Sequence, residues 1–350
     1  MVGLIQKYYK NIINKKNGLY VLVITIVFLS LAISLRLLGF DPLIGLITLF
    51  TTSFKTSYGF WGTVTKFITL LLLSYAFTIP LKIKMFNIGS LGQMQIGGIV
   101  AMVVAFEVRG LPSSLTIILA ILASVIAGSL YAYIAALLKN RSNINPVITT
   151  SMLMFISNYL VNYACSFEKY GELTSGFPMT FMIPKTANLK YMGPIPSWIF
   201  VVPTMIVLYY LVFQKTIIGY KIEATGNNPL AADAFGIDSK KLIVVTFLVA
   251  GAIAGLAGSI EVLGVQQRLV SGFARTSGSD FGTLGSLTSL VAGGGALGLP
   301  ITAFFMSVLL VGADSMQRTI QVPSEIIYVL QSVLVLAIVT LREKTKRSSQ

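Results

Sequence analysis

Histidine is absent from this 350-residue chain, and cysteine occurs once, as Cys165. The first absence removes the commonest proton shuttle and the commonest metal ligand. A single cysteine excludes an intrachain disulfide, and without Cys/His clusters there is no zinc-site signature. Charge is also scarce: Asp, Glu, Lys and Arg make up 11% of the chain, where a soluble domain carries about 25%. No G-x-x-x-x-G-K-[ST] stretch occurs, so the chain has no phosphate-binding loop of its own. No apolar run carries an acid/base pair. A membrane enzyme is therefore disfavoured, and no catalytic or metal-ligating residue is assigned.

What is present is hydrophobic sequence, 55% of the chain with a mean hydropathy of +0.82. Such a chain is too apolar for a soluble protein and reads as a polytopic membrane protein. Backbone groups in hydrocarbon must be satisfied internally, which leaves helices or a closed barrel. The apolar runs are mostly about 16–24 residues long, two of them shorter, and do not alternate, which selects helices. They lie near 19–38, 66–83, 88–106, 114–138, 146–164, 198–213, 243–264, 284–293, 300–312 and 326–341, about ten in all. The fold class is thus an all-α polytopic membrane protein, a single transmembrane domain over 1–350. The run at 19–38 resembles a signal peptide, but no small-residue cleavage site follows it. It reads as an uncleaved first span with residues 1–18 inside.

The net charge of +14 does not indicate nucleic-acid binding, because the basic residues sit in small groups at span ends. Threading the runs alternately from an inside start puts Lys7, Lys10, Lys15, Lys16, Lys82, Lys84, Lys139, Arg141, Lys215, Lys221, Lys240, Lys241, Arg342, Lys344, Lys346 and Arg347 inside. The acids there are Glu223, Asp233, Asp238 and Glu343. This is the positive-inside bias, and it places the polar stretch 219–241 and both termini in the cytoplasm. Two long segments, 39–65 and 165–197, fall outside. The second is rich in Pro, Gly and Thr and has two readings, a gating or docking loop or a mere connector.

An internal repeat is visible. Gly89-Ser90-Leu91-Gly92-Gln93-Met94 recurs as Gly282-Thr283-Leu284-Gly285-Ser286-Leu287, and Pro112 and Pro146 are matched by Pro300 and Pro323 at span starts. In the threading the copies, 66–164 and 243–341, are inverted, a common plan in transport proteins. Gly293-Gly294-Gly295-Ala296-Leu297-Gly298 satisfies G-x-G-x-x-G but lies between two apolar runs instead of in a βαβ unit. It reads as a close-packing hinge or break.

Polar residues inside spans are costly unless they face protein or water. Asn87, Gln93 and Gln95 flank Gly89 and Gly92; the two glutamines are about 200° apart on a helix, so at least one faces protein. Ser151, Phe155, Asn158 and Asn162 share a helical face, with Tyr159 beside them. Amides beside aromatics suit a polar solute with a flat ring, or a sugar; the other reading is interhelical hydrogen bonding. Glu261 is an outer gate residue or simply solvated.

Phe86-Asn87-Ile88-Gly89 followed by Gly92-Gln93 resembles a segment of ATP-binding cassette (ABC) importer permeases of the branched-chain amino acid/ribose superfamily. Ala224-Thr225-Gly226-Asn227-Asn228-Pro229-Leu230-Ala231-Ala232 with Gly236-Ile237 looks like that family's cytoplasmic coupling segment. Ala254-Gly255-Leu256-Ala257-Gly258-Ser259-Ile260-Glu261 and Val322-Pro323-Ser324-Glu325 are similar to its nucleoside-type branch. The acid often found before Gly92 is Leu91 here, so no role of that acid carries over. The resemblance implies a type II-like permease for nucleosides, with ribose or another simple sugar as the alternative, in the bacterial cytoplasmic membrane. It implies a second permease subunit, a double-cassette ATPase that holds the ATP and Mg²⁺, and a solute-binding lipoprotein. The chain would bind no cofactor and no nucleic acid. Glu223, Ala224, Thr225, Gly226, Asn228, Pro229, Ala231 and Ala232 are the expected coupling residues, with small Ala231 and Ala232 letting the ATPase approach. An ion-coupled transporter is a weaker alternative, since most acids lie at span ends.

Overall fold

The computed structural model describes residue 25, residues 28–108, 110–172, 174, 176–273, 275–276 and 279–323, and then residues 326, 329, 332–333 and 336. Lys7 to Lys16 and residues 19–24 and 26–27 of the expected first span therefore lie outside the described residues, as do most of the expected last span, Ser324, Glu325 and Arg342 to Arg347. The described residues are mostly helical, and six helices are long and apolar enough to cross a membrane. The chain divides into two compact units, one up to Gly59 and from Val308 onward, the other Phe60–Ser307.

The first unit contains α1 (Phe28–Leu37) and α2 (Pro42–Lys55). Asp41 caps α2 by accepting from the Leu43 and Ile44 N–H groups at 2.8 and 3.3 Å, and Pro42 fills the first helical position. Inside this unit Thr52 donates to Ser315 at 3.0 Å, and Gly312 lies against the Leu49 backbone. The segment 39–65, expected outside, is helical. It forms α2 and the first part of α3 (Ser57–Leu81). The apolar stretch within α2 is too short and too rich in threonine to read as a span, although Asp41-Pro42 is a standard helix start.

The second unit holds α4 (Ser90–Glu107), α5 (Ser113–Ser142), α6 (Pro146–Ser166), α7 (Val201–Lys215), α8 (Ile217–Asn227), α9 (Pro229–Ala234), α10 (Ser239–Ile260) and α11 (Phe281–Ala292). It also holds the start of α12 (Gly298–Ile320). Its centre is α4, α5 and α10. α5 buries Thr116, Ala120, Ser124, Gly128, Ala132 and Ala136, one stripe of small residues at fourfold spacing, and exposes Leu115, Ile118, Leu122, Ile126 and Leu130. That inversion of the soluble rule is the membrane pattern: large apolar groups face lipid, and small ones let helices approach. Gly251 and Gly255 of α10 meet the stripe, where Ser124 donates to the Gly255 carbonyl at 2.6 Å.

The break expected at Gly293–Gly298 is present. α11 ends at Gly293, which with Gly294 takes a left-handed conformation (φ 65° and 71°), and α12 begins at Gly298. Tyr209 donates to the Gly294 carbonyl at 2.8 Å. At 12 residues, α11 is about 18 Å long, too short for a hydrocarbon core of about 30 Å.

The segment after α6 is an ordered cap. Its Thr180, Ile183 and Leu189 N–H groups donate to the carbonyls of Leu269, Gln267 and Leu263 at 2.8, 2.9 and 3.0 Å, and a short hairpin pairs Tyr191–Met192 (β1) with Ile195–Pro196 (β2). Glu107 pairs with Lys169 and accepts from the Tyr170 hydroxyl at 2.6 Å. That carboxylate holds both the lysine and the tyrosine above their ordinary pKa. These bonds make the segment an ordered part of the structure.

Candidate functional site

The polar stretch after α7 is built from consecutive caps. Thr216 is extended (φ −115°, ψ 157°) and separates α7 from α8. Asn228, also extended (φ −153°, ψ 99°), ends α8 and starts α9, its Oδ1 accepting from the Ala231 N–H at 3.1 Å with Pro229 in the first position. Gly236 (φ 80°) turns the chain back. Asp238 then caps α10 by accepting from the Lys241 N–H at 2.9 Å. Asp233 accepts from the Ser239 N–H at 2.9 Å, and the Ser239 hydroxyl reaches the Pro229 carbonyl at 3.2 Å. The Ser239 N–H, then its hydroxyl and the charge of Lys240, hold the Asp233 carboxyl below its usual range. The carboxylate thus stays ionised through the usual range, and only as pH falls through its lowered pKa does it take up a proton and the tie to Ser239 weaken.

One face of this stretch is seated on the chain itself. Ile222 packs with Ile83, Ala132, Ala135, Ile243 and Phe247. Gly226 lies against the Lys82 carbonyl, with the Ile83 Cα 3.1 Å from where a Cβ would stand. Thr225 is buried and its hydroxyl has no hydrogen-bond partner among the described residues. Ala232 is 4% exposed, so the expectation that Ala231 and Ala232 together admit a partner is corrected. Ala232 faces inward, and Ala231 is half-buried. The opposite face carries Glu223, Asn228 and Pro229 together with Tyr220, Leu230 and Phe235. The last two, 82% and 87% exposed, were missed by sequence reasoning. Their signal was two large apolar side chains in an otherwise polar stretch.

The residues expected along a path separate into three groups. Asn87 and Gln93 are buried and bond each other reciprocally, at 3.0 and 2.8 Å, while Asn87 also donates to the Ala76 carbonyl at 3.2 Å. This pair ties the turn after α3 to α4. Gln95, also buried, donates to Asn158 at 2.6 Å and accepts from Ser157 at 2.6 Å, joining α4 to α6. Gly92 makes that approach possible, since a Cβ there would stand 2.9 Å from the Met154 Cα. Phe155, Tyr159 and Asn162 are exposed along α6, with Asn162 accepting from Ser271 at 2.6 Å. The expected single face is therefore split: Asn158 turns to α4, and the aromatics turn outward with Tyr163. An Asn158→Ala permease is expected to insert normally and to transport about threefold more slowly, given about 0.6 kcal/mol for an interhelical hydrogen bond. Uptake per inserted molecule measures it, and an unchanged rate removes Asn158 from the path.

Glu261 is 1% exposed, so the solvated alternative is corrected. It opens a π-helical turn, Glu261–Gln266, that ends α10. Its two oxygens accept from the Thr69 hydroxyl and the Gln266 amide, each at 3.2 Å. Thr69, a buried hydroxyl on α3, gave no sign in the sequence that it would meet an acid 192 residues away.

The family model described as branched-chain amino acid transport system / permease component matches residues 60–339. The chain belongs to that family. As a permease component it is a multi-pass membrane protein. It is 28% identical to the nucleoside ABC transporter permease protein NupB of Lactococcus lactis subsp. cremoris, over 92% of this chain and 91% of that one. It is 28% identical to the guanosine ABC transporter permease protein NupP of Bacillus subtilis, over 85% and 86%. With the glucose ABC transporter permease protein TsgB13 of Haloferax volcanii the identity is 25%, over 88% and 83%. The family match takes in α8 and α9, the α4/α6 contact and Glu261, so each candidate residue lies within the matched region.

Proposed function

We propose that this permease moves nucleosides inward across the cytoplasmic membrane of a bacterium, as one of two related permease subunits with cytoplasmic termini. A double-cassette ATPase supplies the free energy and holds the ATP and Mg²⁺. A lipoprotein delivers the solute from outside, and the permease binds no cofactor. The observation that carries the nucleoside assignment is end-to-end similarity to two permeases named for nucleoside and guanosine transport.

In this reading the stretch 219–241 seats in a groove of the ATPase. Its capped helices form a stiff body, and Ile222 and Gly226 tie that body to the turn after α3. A rigid-body shift imposed on it is therefore handed to α3, α7 and α10. The aromatic and amide face of α6 suits a water-filled path beside the second permease better than lipid, because exposed amides in hydrocarbon are costly.

A specific observation supports a second reading, sugar transport: the glucose permease relative also covers most of the chain. Labelled uridine uptake by cells carrying the complete transporter separates the two. Unlabelled guanosine in roughly hundredfold excess is expected to suppress uptake by about 98%, as mass action requires for a shared site of similar affinity near half-saturation, with ribose and glucose leaving it unchanged. Labelled glucose uptake without uridine uptake would replace the nucleoside assignment by the sugar one.

A further inference from the structure

Among the described residues, Glu261 is the charged side chain that is fully buried. A carboxylate taken out of water inside a membrane protein costs several kcal/mol unless a cation or strong donors compensate it. Here the compensation is weak. No described basic group pairs with it, and its donors are a neutral hydroxyl and a neutral amide at 3.2 Å each. Charge-assisted bonds to a carboxylate are typically about 2.7–2.9 Å. An ionised carboxylate also offers about four acceptor positions, and two are in use. A purely structural tie between α3 and α10 would be served as well by glutamine, without the charge.

The surroundings hold this acid as a receptor would. A π-turn adds a residue to the helix and re-aims its side chains, and such turns recur at functional sites. Gln266 is fixed from both sides, its amide donating to Glu261 and, at 2.9 Å, to the Phe273 carbonyl. The cap bonds directly to the same turn, through Leu189 N–H to the Leu263 carbonyl, and to Gln267 beside it through Ile183 N–H. Lifting the cap would break bonds to the turn that carries the acid, so opening and exposure of Glu261 are linked.

We infer that Glu261, held by Thr69 and Gln266, recognises the vicinal hydroxyl pair of the solute. Two neighbouring hydroxyls can each donate to one oxygen of a carboxylate, and in the closed arrangement Thr69 and Gln266 occupy those two oxygens in their place. Nucleosides with an intact ribose and simple sugars share this group, which gives one residue a use in permeases for either solute. The inference rests on the reading of this chain as a nucleoside or sugar permease.

The test uses the complete transporter in vesicles, with one solute-binding partner throughout so that its own preference cancels. Uptake of labelled uridine and of labelled 2′,3′-dideoxyuridine is compared between the unaltered permease and Glu261→Gln. Loss of hydrogen bonds to a charged group corresponds to roughly tenfold or more. Uridine uptake is therefore expected to fall at least about tenfold and dideoxyuridine uptake less than about twofold, so that the preference for the diol collapses. Glu261→Asp, which keeps the charge but draws it back by one methylene, is expected to give the same collapse and serves if Glu261→Gln does not insert. An unchanged ratio of the two solutes in an inserted variant overturns the inference, whether both rates fall together or neither does. If the unaltered complex carries glucose and not uridine, the nucleoside reading fails by itself. The same comparison with glucose and 2,3-dideoxyglucose, in which no two neighbouring ring carbons both carry a hydroxyl, then decides the role of Glu261.

Discussion

A permease carrying Leu230→Asp and Phe235→Asp is expected to insert normally, to lose co-purification with its ATPase, and to show no ATP-driven uptake. Both side chains project from the α9 region at 82% and 87% exposure, so the isolated permease has little packing to lose. Substitutions at such positions usually change stability by about 0.5 kcal/mol or less. Burying two large apolar side chains in a partner groove contributes about 1.5–3 kcal/mol each, and an aspartate there is also desolvated without a partner. The combined loss is on the order of 4 kcal/mol, roughly a thousandfold in affinity. Gly226→Val makes the complementary case. Its added atoms would collide with the Lys82 carbonyl and the Ile83 Cα. The outward face keeps its chemistry, so the ATPase still binds, but the segment is unseated from α3 and uptake falls. Retained ATPase binding in the aspartate double variant would remove the outward face as the docking contact.

The contrast between these variants also shows how far the amino-acid sequence could be read. That the stretch 219–241 stands apart was legible from its composition, and its helix starts were legible from Asn228-Pro229 and Asp238. Which side faces the rest of the chain was not legible, because contacts with Lys82 and Ile83, remote in sequence, decide it. Ala232 was therefore assigned outward and Leu230 overlooked. The same division holds for the polar residues of the spans. Gln95 and Asn158 announced themselves as groups that must avoid lipid, but their bond joins positions 63 residues apart. Helix positions followed from apolar run length where the run was long and Pro marked the start, as at Pro146. The helix within 39–65 was not legible, because it is short and carries several threonines and serines, so hydropathy gave no run to read. α6 makes the reverse case. It is 21 residues long yet falls outside the six helices long and apolar enough to cross a membrane, because its serines, threonines and asparagines serve contacts with α4 and an outward polar face.

Gly255→Val is expected to have the largest effect on folding, with loss of detergent-stable permease and of all uptake. Three helices converge on this residue. A Cβ at Gly255 would stand against the Ser124 carbonyl oxygen and 3.3 Å from the Val125 Cα, and a Cβ at Gly97 would stand 2.6 Å from the Gly255 Cα. The Ser124 hydroxyl closes the contact by donating to the Gly255 carbonyl at 2.6 Å. Lipid supplies no hydrophobic force to drive helices together, so close approach and such hydrogen bonds are the main stabilising terms. Valine would push α10 away from α5, and so disturb the close approach of Gly97 of α4 to the same residue. Overpacking a single core site commonly costs about 1–3 kcal/mol, and the obstacle here is the α5 backbone, which cannot rotate away. A cost above about 3 kcal/mol would be a large fraction of a typical stability margin. Gly62→Ala is the matched control: a Cβ there meets nothing within 4 Å, and alanine favours the helix by up to about 1 kcal/mol. Thermal unfolding in detergent, followed by size-exclusion chromatography, should leave Gly62→Ala at or above the unaltered midpoint and Gly255→Val without a folded peak. A Gly255→Val permease of normal stability would mean that α4, α5 and α10 do not meet through this glycine, and the central packing described here would be wrong.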